Sequence, residues 1–189
     1  MVHGELPDAS PTPHWVTSGD WRACAYAAVS AGLGALEGPL HGAASSLAHR
    51  MLLEVLDRGT AVPVVADELR AGRRIPGLGH RLYPGEDPRA RALFAALEGL
   101  PSAAPALAAA RDVESTAARH TPLHANVDLA LAVFTASSGM DATAGETVFA
   151  VARTAGWIAH TLEEYEERPL RMRPSGRYAG ARPPQPPPE

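Results

Sequence analysis

The stretch AGETVFAVARTAGWIAHTLEEYE, residues 144–166, decides the fold class of this chain. Its large apolar residues recur at spacings that bring them to one face of an α-helix. The stretch therefore predicts one long helix whose last turns, EEYEE, are polar and exposed. The residues predicted to turn inward are Val148, Val151, Trp157, Ile158 and Leu162.

The composition of the 189-residue chain also favours helices. Alanine, the best helix former, occurs 37 times, whereas aromatic residues make up only 5% of the chain. The aromatic and β-branched residues that favour strands are scarce. The chain is long enough to bury a core, and we therefore predict an all-α fold.

Charge and cysteine content exclude several classes of protein. The net charge is −4, and all 17 basic residues are arginines without a local cluster, so a basic nucleic-acid binder is excluded. A single cysteine, Cys24, excludes an internal disulfide framework and a multi-cysteine zinc module. No cationic, apolar leader opens the chain, and the apolar windows Ala23–Leu36 and Leu129–Met140 are too short for a membrane span. We expect a soluble cytoplasmic protein with neither a nucleic-acid nor a membrane partner.

Helix signals and breakers divide the rest of the chain. Residues 1–14 and the PPQPPPE tail after Arg182 carry no periodic pattern and are predicted to be loose. Asp87-Pro88 is an N-cap followed by proline in the first turn, and Asn126 is predicted to cap another helix. The predicted helices are Asp20–Leu36, Ala44–Asp57 with Leu47, Met51 and Val55 on its buried face, Val62–Ala71, Pro88–Leu97, Ala103–Ala118 and Val127–Ser137.

Two glycine-containing loops carry residues that could bind a ligand. In GPLHG, His41 lies where a helix dipole can keep it neutral and a hydrogen-bond donor, although the residues alone favour an ordinary capping or surface histidine. In GLGHRLYPGEDPR, His80, Arg81 and Arg89 lie among glycines, which suits an anionic ligand. A flexible basic loop explains this second pattern equally well.

Three further patterns have ordinary explanations of different strength. Asp128 follows Asn126 in the first turn of a predicted helix, where a carboxylate is stabilising without any catalytic role. Arg153 interrupts the apolar run VFAVA, and an arginine on a buried face needs a carboxylate or phosphate partner. His120 and His124 could share a metal ion if helical, but the proline between them argues against that, so no metal site is predicted.

The order of these patterns resembles the C-terminal half of the citrate synthase family. The matching blocks are GALEGPLHGAA, GLGHRLY followed by DPRA, NVDLAL, VFAVARTAGWIAH and RPSGRYAG. They occur in the family's order and cover the chain from about Asp20 to Gly180. The chain is therefore identified as a member of this family, whose fold is all-α.

The resemblance implies an acyltransferase that condenses acetyl-CoA with oxaloacetate and releases citrate and CoA. It assigns Asp128 as the general base that removes a methyl proton of acetyl-CoA. His41 is the donor that stabilises the enolate oxygen, and His80 binds the oxaloacetate carbonyl. A base and two oriented donors are what this chemistry requires.

The resemblance also implies the groups that hold the two substrates. Arg89 and Arg153 match arginines that bind oxaloacetate carboxylates, for which a guanidinium fork is well suited. Arg173 matches an arginine that reaches the neighbouring subunit's site, so a homodimer is implied. No metal and no cofactor besides the acetyl-CoA substrate is implied. The residues that match the CoA-binding segment are Gly77, Leu78, Gly79 and Asn126.

The resemblance leaves out the family's N-terminal half. That half carries a His-x-x-Asn-Ala-Ser-Thr segment, which the residues after His14 do not reproduce, and Ala43 replaces the second glycine of the usual GPLHGG. We expect a small domain at 45–154 between large-domain elements at 19–44 and 155–181, with a lead-in at 1–18 and a tail at 182–189. Three alternatives stay open: a synthase using acetyl-CoA, or propionyl-CoA to give 2-methylcitrate; a subunit completed by another chain carrying the N-terminal half; and a non-catalytic remnant or regulatory subunit.

Overall fold

The computed structural model describes residues 24–36 and 42–167, and every regular element within them is a helix. The prediction of an all-α fold is confirmed. Among the described helices none is by itself long and apolar enough to cross a bilayer. Only Pro88–Glu98 and Pro101–Ala117 together, bent by 118° at their junction, reach the length and composition of a span. The helices are α1 Ala25–Leu36, α2 Gly42–Arg58, α3 Val62–Arg70, α4 Pro88–Glu98, α5 Ala104–Ala117, which a 3-10 turn Pro101–Ala103 precedes, α6 Val127–Ser137 and α7 Ala144–Glu166.

Local capping chemistry places the helix starts where the sequence predicts them. The Asp87 carboxylate accepts a hydrogen bond from the Arg89 backbone N–H, and Pro88 occupies the first turn of α4. The Asn126 side chain accepts hydrogen bonds from the backbone N–H groups of Asp128 and Leu129 at the start of α6. These bonds satisfy amides that a helix cannot pair within itself.

Helix α6 lies at the centre of the core. It packs against α2, α4 and α5, and Leu129 and Val133 on it are fully buried. Leu52 on α2 and Val113 on α5 are equally buried in the same cluster. An apolar helix surrounded in this way needs no polar face, which explains why six of its residues are buried.

Helix α7 packs against two different groups of helices. Near its start, a Cβ on Gly145 would come within 3.0 Å of the Ser45 Cβ on α2. Farther along, the Trp157 indole lies against Gly32 of α1, where a Cβ would come within 2.7 Å of the ring. Helix α1 makes its main contacts with α7. The predicted domain boundary at 154 thus falls inside one continuous helix, and the division itself stays a prediction.

The predicted inward face of α7 is partly wrong. Trp157 is buried, but Val148, Val151 and Leu162 are 38%, 70% and 56% exposed. The periodicity finds an apolar face correctly, but among the described residues no element covers the side of α7 on which these three residues lie. Leu47 on α2 is a second error of the same kind, since it is 48% exposed.

Candidate active site

The structure describes most, but not all, of the predicted site residues. His41 and Arg173 lie outside the described residues. The other predicted site residues lie in the 77–87 loop and at the starts of α4 and α6, apart from Arg153 on α7.

The predicted CoA segment is tied to the chain just before α6. The Gly79 N–H donates to the His124 carbonyl at 2.8 Å, and the Asn126 N–H donates to the Gly77 carbonyl at 2.9 Å. The Asn126 side-chain amide adds a bond of 2.8 Å to the Gly79 carbonyl. Gly77 has φ +79°, and a Cβ there would come within 2.8 Å of the Leu129 Cβ. Glycine is therefore required at 77 for both conformation and space.

The side chains in this segment have structural duties. Leu78 is 8% exposed and belongs to the core. Asn126 is also 8% exposed, and its side chain caps α6 while it holds the loop. Their assignment to CoA binding stays a prediction.

His80 is oriented by its own loop. Its Nδ1 accepts a hydrogen bond from the Leu82 backbone N–H at 3.1 Å. A nitrogen that accepts a backbone N–H carries no proton, so the neutral ring holds its proton on Nε2. His80 can therefore donate one hydrogen bond from Nε2, which is the role that a carbonyl-binding histidine needs.

Tyr83 connects His80 to Arg89, and sequence reasoning missed it. Its ring centroid lies 4.8 Å from that of His80, with 30° between the planes. The Arg89 guanidinium carbon lies 5.3 Å from the Tyr83 centroid, within range of a cation–π contact. The only signal for Tyr83 in the sequence is its place inside the GLGHRLYPGEDPR loop.

Asp87 holds Arg89 in a fixed orientation. Its carboxylate accepts bonds from Arg89 Nε at 3.0 Å and from Arg89 Nη2 at 2.8 Å, and its side chain is 1% exposed. Burial alone raises the pKa of Asp87, but the side-chain and backbone hydrogen bonds and the charge of Arg89, together with the Val127 N–H, outweigh it. The pKa of Asp87 is consequently lower than its ordinary value, and the carboxylate stays ionised.

Asp128, the predicted base, lies in the first turn of α6. The Ser45 hydroxyl on α2 donates to its Oδ1 at 2.5 Å, and Ser45 is 2% exposed. A short bond from a buried hydroxyl fixes the direction of the carboxylate. Sequence reasoning gave Ser45 no role, although it lies four residues after His41.

Arg153 lies on the half-buried side of α7, and Gly156 clears space for it. A Cβ on Gly156 would come within 2.6 Å of Arg153 Nη1. The guanidinium is therefore folded over the bare backbone of the next helical turn. The glycine in the ARTAGWIAH block has this local function.

The two histidines considered as metal ligands do not form a metal site with these residues. His120 and His124 are both exposed, and His124 Nδ1 is 3.9 Å from Glu114 Oε1. In residues 24–36 and 42–167 no three His, Cys, Asp or Glu side chains are grouped so that they could hold a metal ion.

The contacts join two of the predicted site residues, His80 and Arg89, into one connected unit. His80 touches Tyr83, Tyr83 touches Arg89, and Arg89 is paired with Asp87. Asp87 also accepts the Val127 N–H at 3.1 Å, next to Asp128. The arrangement supplies a neutral donor, a cation and a carboxylate for a polar, anionic substrate.

Comparison of sequences shows that the chain is similar to the members of one protein family. The family model described as citrate synthase, C-terminal domain, matches residues 6–175. The citrate synthase of Haloferax volcanii is 38% identical in an alignment of 159 residues that covers 82% of this chain and 42% of that protein. The chain spans about half the length of such curated relatives.

Solved structures give a similar result. A citryl-CoA lyase from Hydrogenobacter thermophilus superimposes with a TM-score of 0.77 and 30% identity, covering 99% of this chain and 75% of that one. A citrate synthase from Thermoplasma acidophilum, solved as a ternary complex with carboxymethyl coenzyme A and oxaloacetate, superimposes with a TM-score of 0.70 and 26% identity. That match covers 92% of this chain and 49% of the synthase.

Proposed function

The chain belongs to the citrate synthase family, and we propose that it carries the C-terminal half of a site that condenses acetyl-CoA with oxaloacetate to form citrate and CoA. The observation that supports this most is the connected unit from His80 through Tyr83, Arg89 and Asp87 to the α6 start, where Asp128 lies. The proposed donor and cation are thus connected by side-chain contacts, and the proposed base follows the residue to which Asp87 is bonded.

The proposed chemistry assigns one task to each group. Asp128 takes a proton from the acetyl-CoA methyl group, and His41 stabilises the enolate oxygen. The enolate carbon then attacks the oxaloacetate carbonyl, whose oxygen receives a hydrogen bond from His80 Nε2 as it becomes an alkoxide. Arg89 binds an oxaloacetate carboxylate. Water finally cleaves the citryl thioester and releases CoA.

Further arginines complete the proposed substrate site. Arg153 also binds an oxaloacetate carboxylate. Arg173 comes from the neighbouring subunit of a homodimer. The proposed reaction is proton transfer, carbon–carbon bond formation and hydrolysis, so we propose no resident metal or redox cofactor. The proposed place of action is the cytoplasm.

An open surface on α7 supports the view that the site is completed by the family's other half. We call it the α7 ribbon. It follows helical spacing along one side of the helix, and its residues are exposed to solvent. Alanines within it permit another helix to approach closely. The α7 ribbon consists of Val148, Val151, Ala152, Ala155, Ala159 and Leu162.

Two buried polar groups on α7 support the same conclusion. The Trp157 indole N–H and the Tyr165 hydroxyl are buried, and they have no hydrogen-bond partner among the described residues. Buried polar groups are normally paired. We propose that the N-terminal half of the family's fold, in the same polypeptide or in another, covers the α7 ribbon and completes the site.

A thiol-release assay tests the synthase proposal. The 189-residue chain is assayed with acetyl-CoA and oxaloacetate, alone and with a separately expressed N-terminal half of the Haloferax volcanii relative. We expect citrate and free CoA only in the combined sample. Robust turnover by the chain alone would contradict the incomplete site. Absence of citrate from a mixture whose two polypeptides elute together would contradict the synthase function and favour a non-catalytic role.

A second candidate function is the cleavage of citryl-CoA to acetyl-CoA and oxaloacetate. The observation that favours it is the match to the citryl-CoA lyase, because this chain covers 75% of that protein but only 49% of the Thermoplasma synthase. Cleavage is the reverse of the condensation step, so the same residues serve it with their proton transfers reversed.

The choice of substrate separates the candidates. Citryl-CoA that yields oxaloacetate faster than citrate identifies a lyase, whereas the opposite ratio identifies a synthase. Propionyl-CoA with oxaloacetate tests the 2-methylcitrate alternative in the same assay.

A further inference from the structure

We propose that Asp87 is a positioning residue that sets two parts of the substrate site at once, the guanidinium of Arg89 and the start of helix α6 that carries Asp128. Its known local duty is to cap α4. The inference rests on the proposed function for the identity of the substrate, but the contacts that carry it belong to the ligand-free chain.

The Asp87 carboxylate is fully occupied by the protein. Oδ1 accepts from the Arg89 backbone N–H at 2.9 Å and from Arg89 Nε at 3.0 Å. Oδ2 accepts from Arg89 Nη2 at 2.8 Å and from the Val127 N–H at 3.1 Å. A carboxylate offers about four acceptor sites, so none remains for a ligand. With a side chain that is 1% exposed, Asp87 acts through Arg89 and α6 rather than on substrate.

The pairing leaves one side of Arg89 for an anion. A guanidinium has five N–H groups, and Asp87 takes one on Nε and one on Nη2. The two on Nη1 and the second on Nη2 face away from Asp87, and the side chain is 31% exposed. Because Tyr83 packs against the guanidinium, its plane is fixed before a carboxylate arrives. Such preorganisation strengthens binding by removing an ordering cost.

The bond to Val127 connects this pair to the base. Val127 is the first residue of α6, and its N–H has no partner within the helix. Asp87 supplies that partner across 40 residues of sequence. Since Asp128 follows directly, a shift of this amide moves the predicted base relative to Arg89.

Charge and position make opposite predictions for the variant Asp87→Asn. The change removes a negative charge beside Arg89, so a purely electrostatic effect would tighten the binding of a dianion. Loss of the ionic fork that orients Arg89 would weaken it. The amide keeps an acceptor for the α4 cap, so the fold is expected to survive.

Hydrogen exchange in the ligand-free chain tests the contacts first. In Asp87→Asn we expect the Val127 amide and the Arg89 Nε proton to exchange roughly tenfold faster or more, because each loses a charge-assisted bond. Glu86→Gln is the matched control, since it removes the same charge from an exposed neighbour that is 3.5 Å from Arg91. Unchanged exchange at both positions in Asp87→Asn would overturn the inference whether or not the chain binds oxaloacetate.

Calorimetric titration of oxaloacetate into the protein tests the consequence. We expect Asp87→Asn to weaken binding about tenfold or more, whereas Glu86→Gln stays within about twofold of the parent chain because the exposed charge is screened. Asp87→Ser keeps a good N-cap but cannot hold the fork, so it is expected to weaken binding at least as much. Equal or tighter binding by a folded Asp87→Asn would overturn the inference. Failure of the parent chain to bind oxaloacetate even when combined with the N-terminal half would contradict the proposed function instead, and the exchange result would still decide the positioning.

Discussion

The cluster of helices α2–α6 differs from the layer formed by α1 and α7 in how many of its buried polar groups have hydrogen-bond partners. In the cluster, buried polar side chains pair with one another, as His49 does with Thr135 at 2.7 Å and Ser45 with Asp128 at 2.5 Å. In the layer, the Trp157 indole N–H and the Tyr165 hydroxyl have no partner among the described residues. The α7 ribbon beside them is exposed.

This difference indicates what each region can do without further protein. The cluster already orients His80, Arg89 and Asp128 through its own contacts. The layer instead presents an apolar surface whose burial would contribute roughly 25 cal/mol for each Å² removed from water. The contacts that orient these three side chains thus belong to a region whose buried polar groups are paired, whereas the α7 ribbon is exposed.

The largest expected effect concerns Asp128, the proposed base in the cluster. Asp128→Asn in an assembly competent for turnover should lower kcat by about 10²–10⁴, which is the usual loss when a general base is removed. Because the amide preserves the shape of the side chain, oxaloacetate affinity should change little. Steady-state kinetics with a parallel titration gives both quantities. A variant that retains more than about a tenth of kcat would remove Asp128 from the base role.

Arg153 tests whether the first half of α7 belongs with the site. Arg153→Leu should weaken oxaloacetate binding by roughly tenfold to a hundredfold, because a charge-assisted bidentate contact contributes about 1.5–3 kcal/mol. Arg153→Lys should recover only part of the loss, since an ammonium cannot reproduce the fork. Titration calorimetry with a thermal melt of each variant measures both effects. Unchanged binding with a sharply lower Tm would make Arg153 a structural residue.

The variant Gly156→Ala tests the same role by displacing the Arg153 guanidinium without removing it. Gly156→Ala would place a methyl group 2.6 Å from Arg153 Nη1, so the flexible guanidinium must move. Alanine also favours the helix by about 1 kcal/mol over glycine. Weaker oxaloacetate binding with an equal or higher Tm is therefore expected, and weaker binding with a lower Tm would indicate damage to the helix instead.

The α1–α7 layer can be broken by one methyl group. Gly32→Ala would place a Cβ 2.7 Å from the buried Trp157 ring, which cannot move as easily as an arginine tip. Overpacking of this kind costs about 1–3 kcal/mol. Gly34→Ala on the same helix is the matched control, because nothing lies within 4 Å of its Cβ.

Hydrogen exchange shows which helices lose stability in Gly32→Ala. We expect amides of α1 and the second half of α7 to exchange faster in Gly32→Ala, while amides of α6 keep their protection. Faster exchange throughout α6 would mean that the two regions unfold together, and the contrast between them would be lost.

Local chemistry explains how much of this organisation the sequence predicts. The starts of α4 and α6 follow from Asp87-Pro88 and Asn126, because a cap acts within three residues of itself. The bonds from Ser45 to Asp128 and from Asp87 to Val127 join residues 83 and 40 positions apart. Nothing in a short window of sequence encodes such pairs, so they were missed.

Burial was predicted less well than helix bounds for a related reason. Apolar spacing identifies the side of α7 that prefers an apolar environment, but it does not say whether this segment supplies that environment. Trp157 finds it against α1, whereas Val151 is 70% exposed. Apolar spacing thus predicts which residues favour burial, and the packed structure shows which of them are buried.

The smallest expected effect is a pH dependence of the free energy of unfolding, which tests whether the cluster is closed to water. The Thr135 hydroxyl donates to the Leu131 carbonyl at 2.9 Å, so it accepts a hydrogen from His49 Nδ1. His49 is 4% exposed. Burial lowers the pKa of His49, with Arg50 acting in the same direction and Asp141 against it, and the result lies below the ordinary value of 6.5. The neutral form is the one that the fold prefers.

The sign of the pH effect follows from that direction. Above about pH 6.5 the histidine is neutral in both the folded and the unfolded chain, and it contributes no pH dependence. As the pH falls below that value, the unfolded chain takes up the proton first, so the free energy of unfolding decreases by at most about 1.4 kcal/mol per pH unit. Urea unfolding between pH 7.5 and 5 should therefore show a shallower decrease for His49→Gln than for the parent chain, while the exposed control His120→Gln follows the parent. Parallel curves for His49→Gln and the parent would mean that His49 can be protonated within the folded cluster, and that the cluster is not closed to water.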